Sequence, residues 1–179
     1  MRFTDFLRAT VMTSAGAATV LAVITVLAAG TQDSDLTVVF ISAAWWIAAT
    51  AIGSTLGRRG ETNPPIARLL AGARFQTILP ELHPGRTLIN RLWPLLLCTV
   101  AAGALAVVAP QVPGIACGFA IIWSLAWRRQ DEAVTAIEDR DGARFYVDRT
   151  SPFKAIQLVR TPGFKADTPS RIEREAAAS

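Results

Sequence analysis

The hydrophobic residues of this chain fall into four uncharged blocks separated by charged segments, not into the apolar stripes that face the core of a soluble fold. The blocks cover 9–30, 36–56, 92–110 and 112–127. A helix needs about 20 mostly apolar residues to cross the hydrocarbon layer. The pattern therefore predicts an all-α integral membrane protein with four transmembrane helices arranged as two hairpins. The first block follows the short basic lead MRFTDFLR and ends in Leu27-Ala28-Ala29, which resembles a signal peptide. Its apolar stretch is long for that purpose, so it reads as a retained first helix. Its Thr13, Ser14, Gly16, Ala17 and Ala18 make a thin face on which a second helix can pack closely.

The connecting segments give the direction of threading. Asp33 and Asp35 occupy the first connection, which has no basic residue, whereas the second block stops at Gly57-Arg58-Arg59-Gly60. Lys and Arg accumulate in cytoplasmic loops, so the acidic connection lies outside and both termini lie inside. The short turn Pro110-Gln111-Val112-Pro113-Gly114 is the other outer connection, and Trp93, Trp123 and Trp127 lie at the inner headgroup layer. Pro94 fits the first turn of the third helix. The domains expected are a membrane domain over 1–130 that includes an inner connection over 57–91, a docking tail over 131–165, and a polar, disordered end over 166–179.

Within the inner connection, Asn63-Pro64-Pro65 starts a short helix. Its Ile66, Leu69, Leu70, Ala73 and Thr77 share a face, with Arg68 and Arg74 off it, as in a helix lying on the membrane surface. Pro80 and Pro84-Gly85 then break the helix. In the tail, Asp141-Gly142 separates two β-capable runs and predicts a β-hairpin. A helix running on from the fourth block through Glu138 is the competing reading. On the hairpin reading, Phe145 and Val147 face one way, and Arg144, Tyr146 and Asp148 the other.

Composition adds little chemistry. The formal charge is +4 and the basic residues are nearly all arginine, with only Lys154 and Lys165 as lysines. Every one lies outside the blocks and on the inner side, so the charge is accounted for by topology and no nucleic-acid partner is expected. The abundance of Ala and Arg suits a GC-rich bacterial genome and hence a bacterial inner (plasma) membrane. Cys98 and Cys117 would lie at different depths, too far apart for a disulfide. No cofactor, metal site or catalytic group is expected, because no spacing matches a metal, nucleotide or nucleophile motif. His83, the single histidine, sits in a proline-bounded turn and reads as an interface or packing residue. The blocks also lack the ionisable groups that proton and ion pathways use.

Two sets of residues remain as candidates. Arg68, Arg74, Arg86 and Arg91 can contact a lipid headgroup or phosphate, since guanidinium groups bind phosphate multivalently. Trp45, Trp46, Phe145, Tyr146, Phe153 and Phe164 read as packing or interface residues. The function expected is a non-catalytic accessory or assembly subunit of an inner-membrane complex, whose partners are the phospholipid bilayer and another membrane-protein subunit or a second copy. One alternative is an enzyme or binding protein for an anionic lipid or lipid-linked phosphate at the cytoplasmic headgroup layer. A small transporter or channel component is the other.

Overall fold

The computed structural model describes residues 1–31, 37–58, 62–75, 84–148 and 156–162. Its apolar part is entirely helical: α1 (Phe3–Thr31), α2 (Thr37–Leu56), α4 (Pro84–Ala104) and α5 (Gln111–Trp127). A 3₁₀ turn over Leu105–Val107 follows α4. The remaining elements are α3 (Pro64–Ala71), β1 (Arg74–Phe75), α6 (Gln130–Asp141), β2 (Ala143–Val147) and β3 (Leu158–Pro162). Among the described residues, three stretches are long and apolar enough to cross a membrane: Phe3–Gly30, Thr37–Leu56 and Gly85–Val107. The pattern of blocks predicts four; α5, with 17 residues, is the shorter one. It lies at the centre nonetheless, because its contacts with α1 and with α2 are the most extensive in the molecule.

Two of the apolar helices begin earlier than their uncharged blocks. In α1 the lead contributes Phe3, Phe6 and Leu7, three and four residues apart and all buried, so the helix continues through it along a helical apolar face. In α4 the helix starts at Pro84, which puts Pro94 inside it and not in its first turn. Both helices thus extend beyond their uncharged blocks into a second core. That core joins Phe3, Phe6 and Leu7 to Ile66 of α3, Val134 of α6, Phe145 and Val147 of β2 and Leu158 of β3. Together these elements form a module at the arginine-rich end of the helices.

The expected hairpin at Asp141-Gly142 is not the one formed. Residues 130–141 are helical, and Gly142 closes the helix in the left-handed region at φ 59° and ψ 34°, its N–H bonded to the Glu138 carbonyl. The reason is burial at helical spacing: Gln130, Ala133, Val134 and Glu138 turn inward together, with Ile137 packed on the same core. Asp131 and Glu132 in the first turn and Arg140 in the last suit the helix dipole. A left-handed glycine serves a hairpin turn or a helix C-terminus equally well, and here the inward face decides. β2 pairs antiparallel with β3 instead, Phe145 opposite Arg160, and β1 adds parallel to β3 in the order β1-β3-β2. The inward alternation expected of the second run holds, with Ala143, Phe145 and Val147 buried. The short helix α3 also forms, but Ile66 is buried in the module core and Leu69, Leu70 and Ala73 pack against it. Its apolar face therefore meets protein.

Candidate functional site

A groove of about 610 Å³ opens between α1, α4 and α5. Its wall is almost wholly apolar, with Leu7 and Leu21 from α1, Leu92 and Leu95 from α4, and Phe119 and Trp123 from α5. Toward the module it is closed by Phe3, by Pro65, Ile66 and Leu69 of α3, and by Ile156. Arg91 is the single charged residue among those lining it. The Thr10 and Thr99 hydroxyls also face the groove but donate along their own helices, to the Phe6 and Leu95 carbonyls at 2.8 Å each. Trp123 and Trp127 stack with centroids 5.3 Å apart and separate the groove from a second recess of about 630 Å³ beside Thr55, Leu56 and Asn63.

Helix contacts fix the depth of Arg91. A Cβ on Gly103 would lie 3.1 Å from the Ile24 side chain, and the Cys117 thiol donates to the Ala18 carbonyl at 3.2 Å. Counting back at about 1.5 Å per residue puts Arg91 level with Met12, and Trp127 level with Arg8. Arg91 is therefore about one turn farther along the bundle than the Arg8–Trp127 level. Trp123, one turn before Trp127, therefore stands level with Arg91. Arg91 and Arg86 both fall inside the candidate span Gly85–Val107, and of the two only Arg91 lines the groove.

The other candidate residues are distributed differently. Arg68, Arg74 and Arg86 are exposed and do not line the groove, so Arg91 stands apart from the set. Trp45 and Trp46 both turn toward α5: Trp46 Nε1 donates to the Gly114 carbonyl at 2.8 Å and Trp45 Nε1 to that of Ile115 at 3.2 Å. Trp45 also meets Phe119 edge-on, with centroids 5.6 Å apart. Phe145 is buried in the module core, and Tyr146 is half-buried, bridging to Arg2. The face of small residues on α1 is real for Ser14, Ala17 and Ala18, which are buried, while Gly16 is exposed to open space. His83, Phe153 and Phe164 lie outside the described residues. Among the described residues no cluster of His, Cys, Asp and Glu could hold a metal, and both cysteines are free.

Two features have no counterpart in the sequence reading. The first is the α2–α5 crossing, built on Gly53, Gly57, Gly114 and Gly118, where an added Cβ would strike the facing helix. Both pairs stand four apart, as in the G-x-x-x-G spacing that allows close helix approach in lipid. The second is Glu138, whose side chain is fully buried. Its carboxylate accepts from Arg2 and Arg144 at 3.0 Å each and from the Phe145 N–H at 2.9 Å. The bond to Glu138 raises the Arg144 guanidinium above its ordinary value. Nearby, the Arg140 side chain holds the Asp141 carboxyl below the usual carboxylate range. Gln130, also buried, accepts the Asn63 N–H at 2.9 Å and so ties α6 to the start of α3. With its bonds to three donors on two segments, Arg2 ahead of α1 and Arg144 and Phe145 of β2, Glu138 acts as a structural tie, not as a general base.

Comparison with protein-family models, with curated proteins and with solved structures gave no match.

Proposed function

We propose that the protein is a non-catalytic lipid-binding protein of a bacterial inner membrane, holding the apolar chain of an anionic lipid in the groove with its charged group at Arg91. The observation that carries this reading is that Arg91 is the single charged residue lining an otherwise apolar groove between long apolar helices. A volume of about 610 Å³ lies within the roughly 300–1,000 Å³ usual for ligand sites. Arginine offers several donors to a phosphate or carboxylate at once, which suits the charged group of a lipid whose chain lies in the groove. Arg91→Ala removes a charge-assisted bond of about 1.5–3 kcal/mol, roughly 10- to 150-fold in affinity. Native mass spectrometry of protein released from mild detergent is expected to find a bound anionic lipid on the wild type, strongly depleted on Arg91→Ala. Arg68→Ala and Arg74→Ala should retain it. Equal lipid occupancy in wild type and Arg91→Ala would refute the assignment.

The topology that goes with this function has four crossings and both termini inside. α5 is 17 residues long, at the lower end of the roughly 17–25 that suffice for a crossing. Its Gly114 faces Thr25 and its Cys117 faces Ala18, so it runs opposite to α1; its Gly114 faces Ser42 and its Leu125 faces Gly53, so it runs with α2. These directions support an in–out–in–out–in path. In a background with Cys98 replaced by serine, a cysteine at Gln111 is expected to react with an impermeant maleimide added outside. Cysteines at Arg74 and Asp141 should react only after the membrane is opened. Labelling from outside at Arg74 would reverse the orientation.

The accessory-subunit reading retains one supporting observation. Ile89, Trp93, Leu96 and Val100 form an exposed stripe on α4, spaced by four, three and four residues, as on a helix that packs along another. A stoichiometric protein partner in mild detergent, lost on replacing Leu96 and Val100 by bulkier residues, would favour it.

A further inference from the structure

We infer that the groove selects its lipid by headgroup size, taking a compact anion (a carboxylate or an unsubstituted phosphate monoester) in preference to the same tails carrying a larger headgroup. This rests on the reading of the groove as a lipid site. Arg91 stands level with Trp123, and the groove continues past that level into the module. There it is roofed by apolar side chains, chiefly Phe3, Ile66, Leu69 and Ile156. The roof is anchored, not a loose flap: Phe3 and Ile66 are each 1% exposed and belong to the core shared with β2, β3 and α6. A glycerol, ethanolamine or sugar substituent beyond the phosphate would press its polar groups against this surface, and burying them without partners is unfavourable. The walls do not compensate, since the Thr10 and Thr99 hydroxyl protons are already donated to carbonyls of their own helices. A compact anion needs only the guanidinium for its charge and leaves the roof in place.

The test is a native mass-spectrometry titration of the full-length protein, delipidated in detergent, with dioleoyl lipids of identical tails. Phosphatidic acid, phosphatidylglycerol and phosphatidylethanolamine vary the headgroup, and oleate supplies the carboxylate. Phosphatidic acid or oleate, or both, are expected to bind at least tenfold more tightly than phosphatidylglycerol, and Arg91→Ala should abolish the preference. Whichever of the two binds more tightly names the anion. Leu69→Ala and Ile156→Ala alter half-buried roof positions. Each is expected to bring phosphatidylglycerol within about threefold of phosphatidic acid, the ratio between the two lipids being the readout. Equal binding of phosphatidic acid and phosphatidylglycerol, still dependent on Arg91, would overturn headgroup selection and leave the lipid site standing. Binding of every lipid unchanged by Arg91→Ala would overturn the lipid site as well.

Discussion

Gly118→Leu is expected to force α2 away from α5 and to lower the thermal midpoint of the detergent-solubilised protein far more than Gly16→Leu. At Gly118 even a Cβ would land on the Trp45 indole, against Nε1, Cδ1 and Cε2. The indole cannot swing aside cheaply, because its Nε1 is bonded to the Ile115 carbonyl and its ring rests on Phe119. Overpacking a tight site by a few carbons costs about 1–3 kcal/mol and occasionally more, and leucine adds three carbons beyond the Cβ that already clashes. Gly16 lies on an exposed face with nothing within 4 Å of its Cβ position, so it controls for the general effect of leucine in a membrane helix. Tryptophan fluorescence during a thermal ramp reads the separation directly, because Trp45 and Trp46 both contact α5. Equal midpoints for the two variants would mean that α2 and α5 are not held by this contact.

The size of that effect follows from the solvent. In lipid, apolar side chains gain little by leaving the hydrocarbon, so helices associate through close van der Waals fit and hydrogen bonds between them. The α2–α5 crossing has both. At its arginine-rich end a Cβ on Gly57 would meet the Leu125 carbonyl group, and one on Gly53 would lie 2.8 Å from Leu125 Cβ. At its other end a Cβ on Gly114 would meet Ser42, and the Trp46 indole bonds the Gly114 carbonyl.

How much of this is legible in the sequence depends on which force shapes each part. The apolar helices are legible because hydrocarbon demands long uncharged runs and leaves no unbonded backbone. Their ends are less so, since hydropathy marks where charge begins and not where the helix stops. This is why α1 and α4 extend past their blocks, and why Arg91, just outside 92–110, lies within a candidate span once α4 is seen to start at Pro84. Asp141-Gly142 is ambiguous in principle, because a left-handed glycine ends a helix or turns a hairpin; the inward spacing of Gln130, Ala133, Val134 and Glu138 was the available signal. The parallel pairing of β1 with β3 joins Arg74 to Val159, a contact too remote in sequence for local pattern to announce. Of the four candidate arginines, only the fold separates Arg91 from Arg68, Arg74 and Arg86. The glycine crossing was readable from its two G-x-x-x-G spacings, but the tryptophans that fill it lie about 70 positions from the carbonyls they bond.

Glu138→Ala is expected to loosen the module while leaving the long helices packed. The substitution removes the acceptor of three bonds at once: from Arg2, 136 positions away in sequence, from Arg144, and from the Phe145 N–H. Breaking a buried ion pair by deleting one partner costs about 3–5 kcal/mol, and the exposure of the survivors places this case toward the lower end. The Arg2 and Arg144 side chains remain 40% and 38% exposed, so both cations can turn to water. The Phe145 amide cannot, as its residue is only 2% exposed, and an orphaned buried N–H costs about 1–3 kcal/mol by itself. Glu138→Gln should fall between wild type and alanine, since one amide oxygen can still accept from Phe145 while the amide NH₂ faces two guanidinium groups. Arg2→Ala, which removes one donor at the partly exposed rim, should cost least. Amide exchange resolves the series: protection across Ala143–Val147 and Leu158–Thr161 should fall in the order Arg2→Ala, Glu138→Gln, Glu138→Ala. Protection in α2 and α5 should not change, because their contact is built from other residues. Unaltered exchange in β2 and β3 of Glu138→Ala would show that the apolar core of Phe3, Ile66, Val134 and Leu158 holds the module without the buried carboxylate.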